Sequence, residues 1–170
     1  MDVKFPIGKL ETPEKVSLNH VQQWADEVAN FSNRLRAVVD DLDSEALSKT
    51  YREGSWTVRQ LVHHITDSQV NLYTRLKITL TDDSEPKITG FIQDEWVKLP
   101  DSQLPIECSI RMLEGINERV VAICREVKED QLGRIYMHPD DGATTLATTI
   151  AKLAWHEEHH LAHIKIALSK

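Results

Sequence analysis

Apolar residues recur at the i, i+3, i+4, i+7 spacing of an amphipathic helix over four long stretches, roughly residues 18–42, 57–81, 104–128 and 144–168. Polar positions fill the opposite side of each, so every stretch has one face to bury. Start signals fall where the pattern begins. Ser17 or Asn19, Ser55 or Thr57, and Thr144 or Thr145 offer short side-chain acceptors to the unpaired N–H groups of a first helical turn. Between the stretches lie breaker-rich segments, YREGS, TDDSEPKITGFIQDEWVKLPDSQLP and GRIYMHPDDGATT. Only GRIYMH hints at strand alternation, and it is too short to anchor a sheet. Four helices of similar length predict an all-α four-helix bundle forming one domain over residues 1–170. The second connection exceeds a normal bundle loop and predicts a long crossover between the second and third helices.

Charge narrows the choice of partner. With 27 acidic against 20 basic residues the formal net charge is −7, and no basic stripe runs along the chain to neutralise phosphates. Nucleic acid and anionic membrane surfaces are therefore not expected partners. No stretch approaches the roughly 20 apolar residues of a membrane span, and no apolar run of signal-peptide length opens the sequence, so a cytoplasmic location is expected. Cys108 and Cys124 lack CxxC spacing and are expected to be free packing thiols.

The histidines change the picture more. Of eight in the chain, His156, His159, His160 and His163 crowd into the last helix. A helix turns about 100° per residue, so each can be placed against the stripe of Leu146, Ile150, Leu153, Leu161, Ile164 and Leu168. His160 lies about 60° from the stripe centre and His156 about 100°, whereas His163 lies about 120° and His159 about 160° away. His156 and His160 form the inward pair, one turn apart, at a reach that a single Zn²⁺ bridges. In the second helix His64 sits at the stripe edge, about 115° from its centre, while His63 points nearly opposite. His64 is the expected third ligand, and His63, His159 and His163 are expected to matter less. Asp67, one turn past His64, is expected to accept a hydrogen bond from its non-metal nitrogen. The competing interpretation is a wet polar helix face without metal. His20 and His138 stand alone and read as surface or packing residues.

Read by its letters, the run from His156 to His160 matches H-E-x-x-H, in which two histidines bind zinc and the glutamate acts as general base. The longer metzincin form requires a glycine at position 163 and a histidine at position 166, where this chain has His163 and Ile166. A third ligand must come from upstream, which is bundle architecture rather than that of a metalloprotease. Glu157 falls near the centre of the apolar stripe, where an unpaired carboxylate is costly. It is expected either to serve the metal site as base or support, or to pair with a buried cation.

The segments FPIGKLETPE, YREGSWTVRQLVHHITDSQVNLYTRLKITLTDDSEPKI, IYMHPDD and AWHEEHHLAHI together resemble the DinB-like superfamily and, within it, the YfiT group of metal-dependent hydrolases and bacillithiol transferases. The resemblance implies a bundle with up-down-down-up connectivity holding one divalent metal, Zn²⁺ or Ni²⁺, and commonly a homodimer. It places the family's metal-binding histidines on His64, His156 and His160, the same three that the helical phase selects. The chain departs from close relatives at Thr66-Asp67-Ser68-Gln69, where they carry ADSH, and at Glu157 and Glu158.

Three neutral imidazoles leave a coordination position open on zinc. A thiol held there is a thiolate nucleophile for transfer to a small electrophile, and water held there is acidified for hydrolysis. The resemblance favours the first, with bacillithiol or a similar low-molecular-weight thiol as donor. Metal-dependent hydrolysis is the alternative, and a non-catalytic, metal-stabilised interaction protein a third. Ser68, Asn71 and Arg75 line the same side of the second helix as His64, and Arg75 is a candidate partner for a carboxylate of the thiol. Trp56, Trp96 and Trp155 are candidate apolar walls.

Overall fold

In the computed structural model, which describes residues 2–170, the four stripes become α1 (Leu18–Val39), α3 (Val58–Thr81), α5 (Glu107–Glu126) and α6 (Leu146–Leu168). One-turn helices α2 (Ser44–Ser48) and α4 (Gln93–Trp96) sit in the connections. The predicted caps act where the sequence places them. The N–H of Gln60 donates to Thr57 Oγ1 at 3.2 Å while the N–H of Thr57 donates to Gln60 Oε1 at 3.0 Å, closing a reciprocal box at the start of α3. Thr145 Oγ1 likewise accepts from the N–H of Thr148 at 3.0 Å. His20 has a comparable task, its Nδ1 accepting the N–H of Ser17 at 3.1 Å.

Cross-helix contacts fix the connectivity. His63 meets Ser109 and Gln69 meets Asn117, so α3 and α5 run parallel. Arg36 reaches Glu107 and Glu114 while Gln22 reaches the carbonyl of Cys124, so α1 and α5 run antiparallel. The side chain of Arg134 holds the carbonyl of Leu80, and the N–H of Leu146 donates to the carbonyl of Arg134, which sets the start of α6 beside the end of α3. The result is up-down-down-up. Two parallel neighbours cannot be joined by a tight turn, because the chain must travel back along a helix of 24 residues, about 36 Å. That is why the connection from 82 to 106 is long.

The GRIYMH segment, expected to be too short to anchor a sheet, forms a small one. β1 (Ile135–His138) pairs antiparallel with β2 (Gly142–Thr145), with Gly142 at φ +72 in the turn where a side chain would be strained. Residues expected at the start of the last helix, 144 and 145, belong to this hairpin. Pro86 and Ile88 of the crossover add to it through the N–H and carbonyl of Met137. The hairpin thereby ties the crossover to the start of α6.

The interior has two apolar layers. One gathers Val21, Val28, Leu72, Leu76, Val120 and Leu153, the other Phe31, Leu35, Leu61, Ile65, Leu113 and Leu161. Between them, at the same height on three helices, lie the buried polar residues Gln69, Asn117 and Glu157. Cys124 is buried and Cys108 half-buried, both as free thiols. Among the described residues no helix is long and apolar enough to cross a membrane.

Candidate metal centre

Antiparallel packing of α3 against α6 brings His64 opposite His156 and His160. All three side chains are buried, and their Nε2 atoms converge: His64 to His156 is 3.2 Å and His160 to His156 is 3.1 Å. Nitrogens bound to a tetrahedral zinc at 2.0–2.1 Å sit about 3.3 Å apart, so this spacing is that of a ligand set. A neutral imidazole has one N–H, and three nitrogens turned on one another cannot all be satisfied among themselves. A divalent cation satisfies all three at once. The electrostatics agree with a neutral donor set. Burial lowers the pKa of His64 to about 3, with His159 adding to the effect. Burial and the neighbouring imidazoles hold His156 and His160 well below the ordinary value.

His160 is further fixed through its other nitrogen. His163 Nε2 lies 3.1 Å from the carbonyl oxygen of Val3, which can only accept, so the proton of His163 is on Nε2. Its Nδ1 is then an acceptor, and at 3.3 Å it takes the proton of His160 Nδ1. His160 is thereby held with its Nε2 lone pair free for a metal. His159 and His163, expected to matter less than the inward pair, are nonetheless enclosed. The helical phase is right, but that side of α6 is not open to solvent. Residues 3–5 and Tyr51 cover it, with Tyr51 stacked on His163 at 4.0 Å and Phe5 5.9 Å from His159. His159, His160 and His163 consequently form a second group of clustered imidazole nitrogens. His63 is also buried. Its Nε2 donates to the carbonyl of Leu104 at 3.1 Å and its Nδ1 accepts from Ser109 Oγ at 2.7 Å, which fastens the end of the crossover to α3.

The remaining sequence candidates divide. Ser68 Oγ lies 3.4 Å from His64 Nε2 and Arg75 lines a cavity beside His156, so both belong to the site. Asp67 makes no hydrogen bond to His64. It lies about 60° from His64 around the helix, and burial together with the carboxylate of Asp101 raises its pKa to about 6. Asn71 bonds its own helix, donating to the carbonyl of Asp67 at 2.8 Å. Glu157 is buried as its place in the stripe requires, but it neither reaches the histidines nor meets a cation. It accepts from Asn117 Nδ2 at 2.7 Å, and its neighbour Glu158 takes Arg34 instead.

Outside the cluster opens a cleft of about 720 Å³, with Trp56, Phe91, Trp155 and Arg52 among its walls. The Trp56 ring lies 4.4 Å from that of His64 and its Nε1 donates to Asp94 Oδ1 at 3.1 Å, while Trp155 stacks on His159. Trp96 stands one layer back, against Phe91 at 4.7 Å.

The sequence profile of the DinB superfamily matches residues 20–164, which takes in all four bundle helices and every histidine of the cluster. The chain belongs to the DinB superfamily. Within it, a protein of Oceanobacillus iheyensis is 56% identical over 169 residues, covering 99% of this chain and 97% of its own, and one of Halalkalibacterium halodurans is 43% identical over 168 residues, covering 99% and 98%. Both carry names that propose a metal-dependent hydrolase. The solved structure of YfiT from Bacillus subtilis superposes with a TM-score of 0.91 at 32% identity, over 97% of this chain and 95% of that one, and is described as having an unusual four-helix bundle topology. This DinB-superfamily chain is thus of the YfiT group, with the crossover and parallel α3 and α5 derived above.

Proposed function

We propose that this DinB-superfamily protein is a metal-dependent enzyme acting on small molecules, with His64, His156 and His160 as the metal ligands. The observation that carries the reading is the convergence of three buried, neutral Nε2 atoms at the floor of a wide cleft. Zn²⁺ or Ni²⁺ suits an all-imidazole set. Bound there, such a cation supplies an electrophilic centre with an open position, which lowers the pKa of a thiol or a water brought to it. The chain's own residues do the rest. His163 and the carbonyl of Val3 keep His160 in its metal-binding tautomer, Ser68 hydrogen-bonds beside His64, and Trp56 and Phe91 shield the floor of the cleft from bulk water.

The finer reading is S-transfer, in which a low-molecular-weight thiol of the bacillithiol type would release its proton to solvent at the site and its thiolate sulfur would bond to the carbon of a small electrophile as a leaving group such as halide departs. In support, no carboxylate joins the clustered imidazoles among the described residues, so the cluster itself holds no carboxylate base to take a proton from water. A thiol ionises far more readily and needs none. The second reading, hydrolysis, is favoured by the names of the relatives and of YfiT. Thiol dependence separates the two. Metal-loaded protein should conjugate a thiol to a bimane or haloaromatic electrophile with saturating thiol dependence, and chelation should abolish the rate. Turnover of esters or amides that thiol inhibits would overturn the S-transfer reading in favour of hydrolysis. Full metal occupancy in His64→Ala, His156→Ala or His160→Ala, read by elemental analysis, would overturn that ligand.

A further inference from the structure

A second, smaller cavity of about 200 Å³ lies beside the imidazole cluster, bounded by α3, the β hairpin and the crossover at Gly90–Gln93. His156 lines both this cavity and the outer cleft, so the two meet at the proposed metal centre. Arg75 lines the inner cavity and is only 6% exposed, yet among the described residues its guanidinium makes no hydrogen bond and no ion pair. No guanidinium nitrogen of Arg75 is sealed off from solvent, so its donors stay free for an anion that enters the cavity it lines.

The other charged groups on the wall define that anion. Lys152 is already engaged, its Nζ lying 3.4 Å from Asp141 Oδ2. Asp140 turns outward, with 84% of its side chain exposed. His138 is neutral, because its Nδ1 accepts the N–H groups of Asp140 and Asp141, both at 3.2 Å, and so carries its proton on Nε2. One unpaired positive charge remains, presented as a planar fork. That suits a singly charged, planar carboxylate better than a tetrahedral phosphate dianion.

We infer that this cavity is a carboxylate subsite, in which Arg75 grips one end of a small acidic substrate while the reacting group of the same molecule sits at His64, His156 and His160. Ser68, which lines the cavity and touches His64, stands between the two ends. The inference rests on the metal-centre reading and assigns to it a substrate class, small molecules bearing a carboxylate a few bonds from the reacting atom.

The test uses cobalt-loaded full-length protein and a series of ω-mercapto acids of two to five carbons, each beside its neutral amide. Thiol binding is read from the thiolate-to-cobalt absorption. At the chain length that spans the two ends, the acid should bind about tenfold or more tightly than its amide, the scale of a charge-assisted bidentate pair. Arg75→Gln should bring acid and amide within about twofold of each other, with the variant's cobalt absorption before thiol is added showing that its metal centre is folded. Arg75→Lys, which keeps the charge but loses the fork, should fall between. Acetate should weaken binding of the acid more than inorganic phosphate does. Equal affinity of acid and amide at every chain length, with cobalt absorption present, would overturn the subsite and leave the metal centre standing. Stronger competition by phosphate would overturn the carboxylate class. Absence of any cobalt–thiolate signal would overturn the metal reading and this inference with it.

Discussion

The polar layer that divides the core makes a prediction sharp enough to fail. Glu157 is fully buried, and burial pushes its pKa well above the ordinary 4.5 even though Asn117 donates a hydrogen bond to it. Its Oε2 and the Oε1 of Gln69 have no partner among the described residues. In the folded protein the carboxyl therefore keeps its proton at a pH where the unfolded chain has lost it. With more protons bound in the native state than in the unfolded one, stability must fall as pH rises from 4.5 to the folded pKa, at about 1.4 kcal/mol per pH unit. Glu157→Gln removes this group from the titration. Its carbonyl can still accept from Asn117 Nδ2, and its NH₂ replaces the O–H of the protonated carboxyl as a donor. Urea unfolding of wild type and variant in parallel between pH 5.5 and 8.5 should show the variant gaining on the wild type by about 1.4 kcal/mol per unit, levelling off at the folded pKa. Titration of the histidines is common to both proteins and cancels in the difference. A difference that stays flat across that range would mean Glu157 is ionised in the fold and the reasoning is wrong.

Two further substitutions separate the histidines by task. His163→Phe keeps an aromatic ring against Tyr51 but removes the Nδ1 that holds His160, and should weaken metal binding about 10- to 100-fold in a chelator competition; unchanged affinity would mean the tautomer of His160 needs no such support. His63→Leu should leave metal affinity unaltered while lowering stability by about 1–3 kcal/mol in urea, since the carbonyl of Leu104 and the hydroxyl of Ser109 lose their buried partner; a metal-affinity loss comparable to that of His64→Ala would place His63 at the site instead.

Much of this was legible in the residues because helical phase is a strong constraint. The four helices, the side-chain caps at Thr57 and Thr145, the need for a crossover and the inward turn of His64, His156 and His160 all follow from periodicity and capping chemistry. The misses at the histidines share one cause. Angles measured from an apolar stripe describe a helix against its bundle neighbours, and anything on the far side is taken to be wet. Here the far sides of α3 and α6 are covered by segments without periodicity. Leu104 and Ser109 reach His63, and Val3, Phe5 and Tyr51 close over His159 and His163. Asp67 and Glu157 failed differently. Asp67 is one turn from His64 in sequence, but a step of three residues turns it towards Asp101, whereas Glu157 is buried as its place in the stripe predicts and meets Asn117 rather than the metal site or a cation.

That last placement has its own logic. Glu157 follows His156 directly, so the rotation of α6 that drops its carboxyl between Asn117 and Gln69 is also the rotation that aims His156 at His64. On the opposite flank the chain from His160 through His163 to the carbonyl of Val3 resists the same rotation from the other side. An apolar residue at 157 would pack as well and would tolerate a range of angles, because apolar contacts have little directional preference. Hydrogen bonds do have one, and a buried polar layer is a known means of fixing helix register at some expense in stability. On this view the cost of desolvating Glu157 is offset by holding three nitrogens within the few tenths of an ångström that a common metal ion demands.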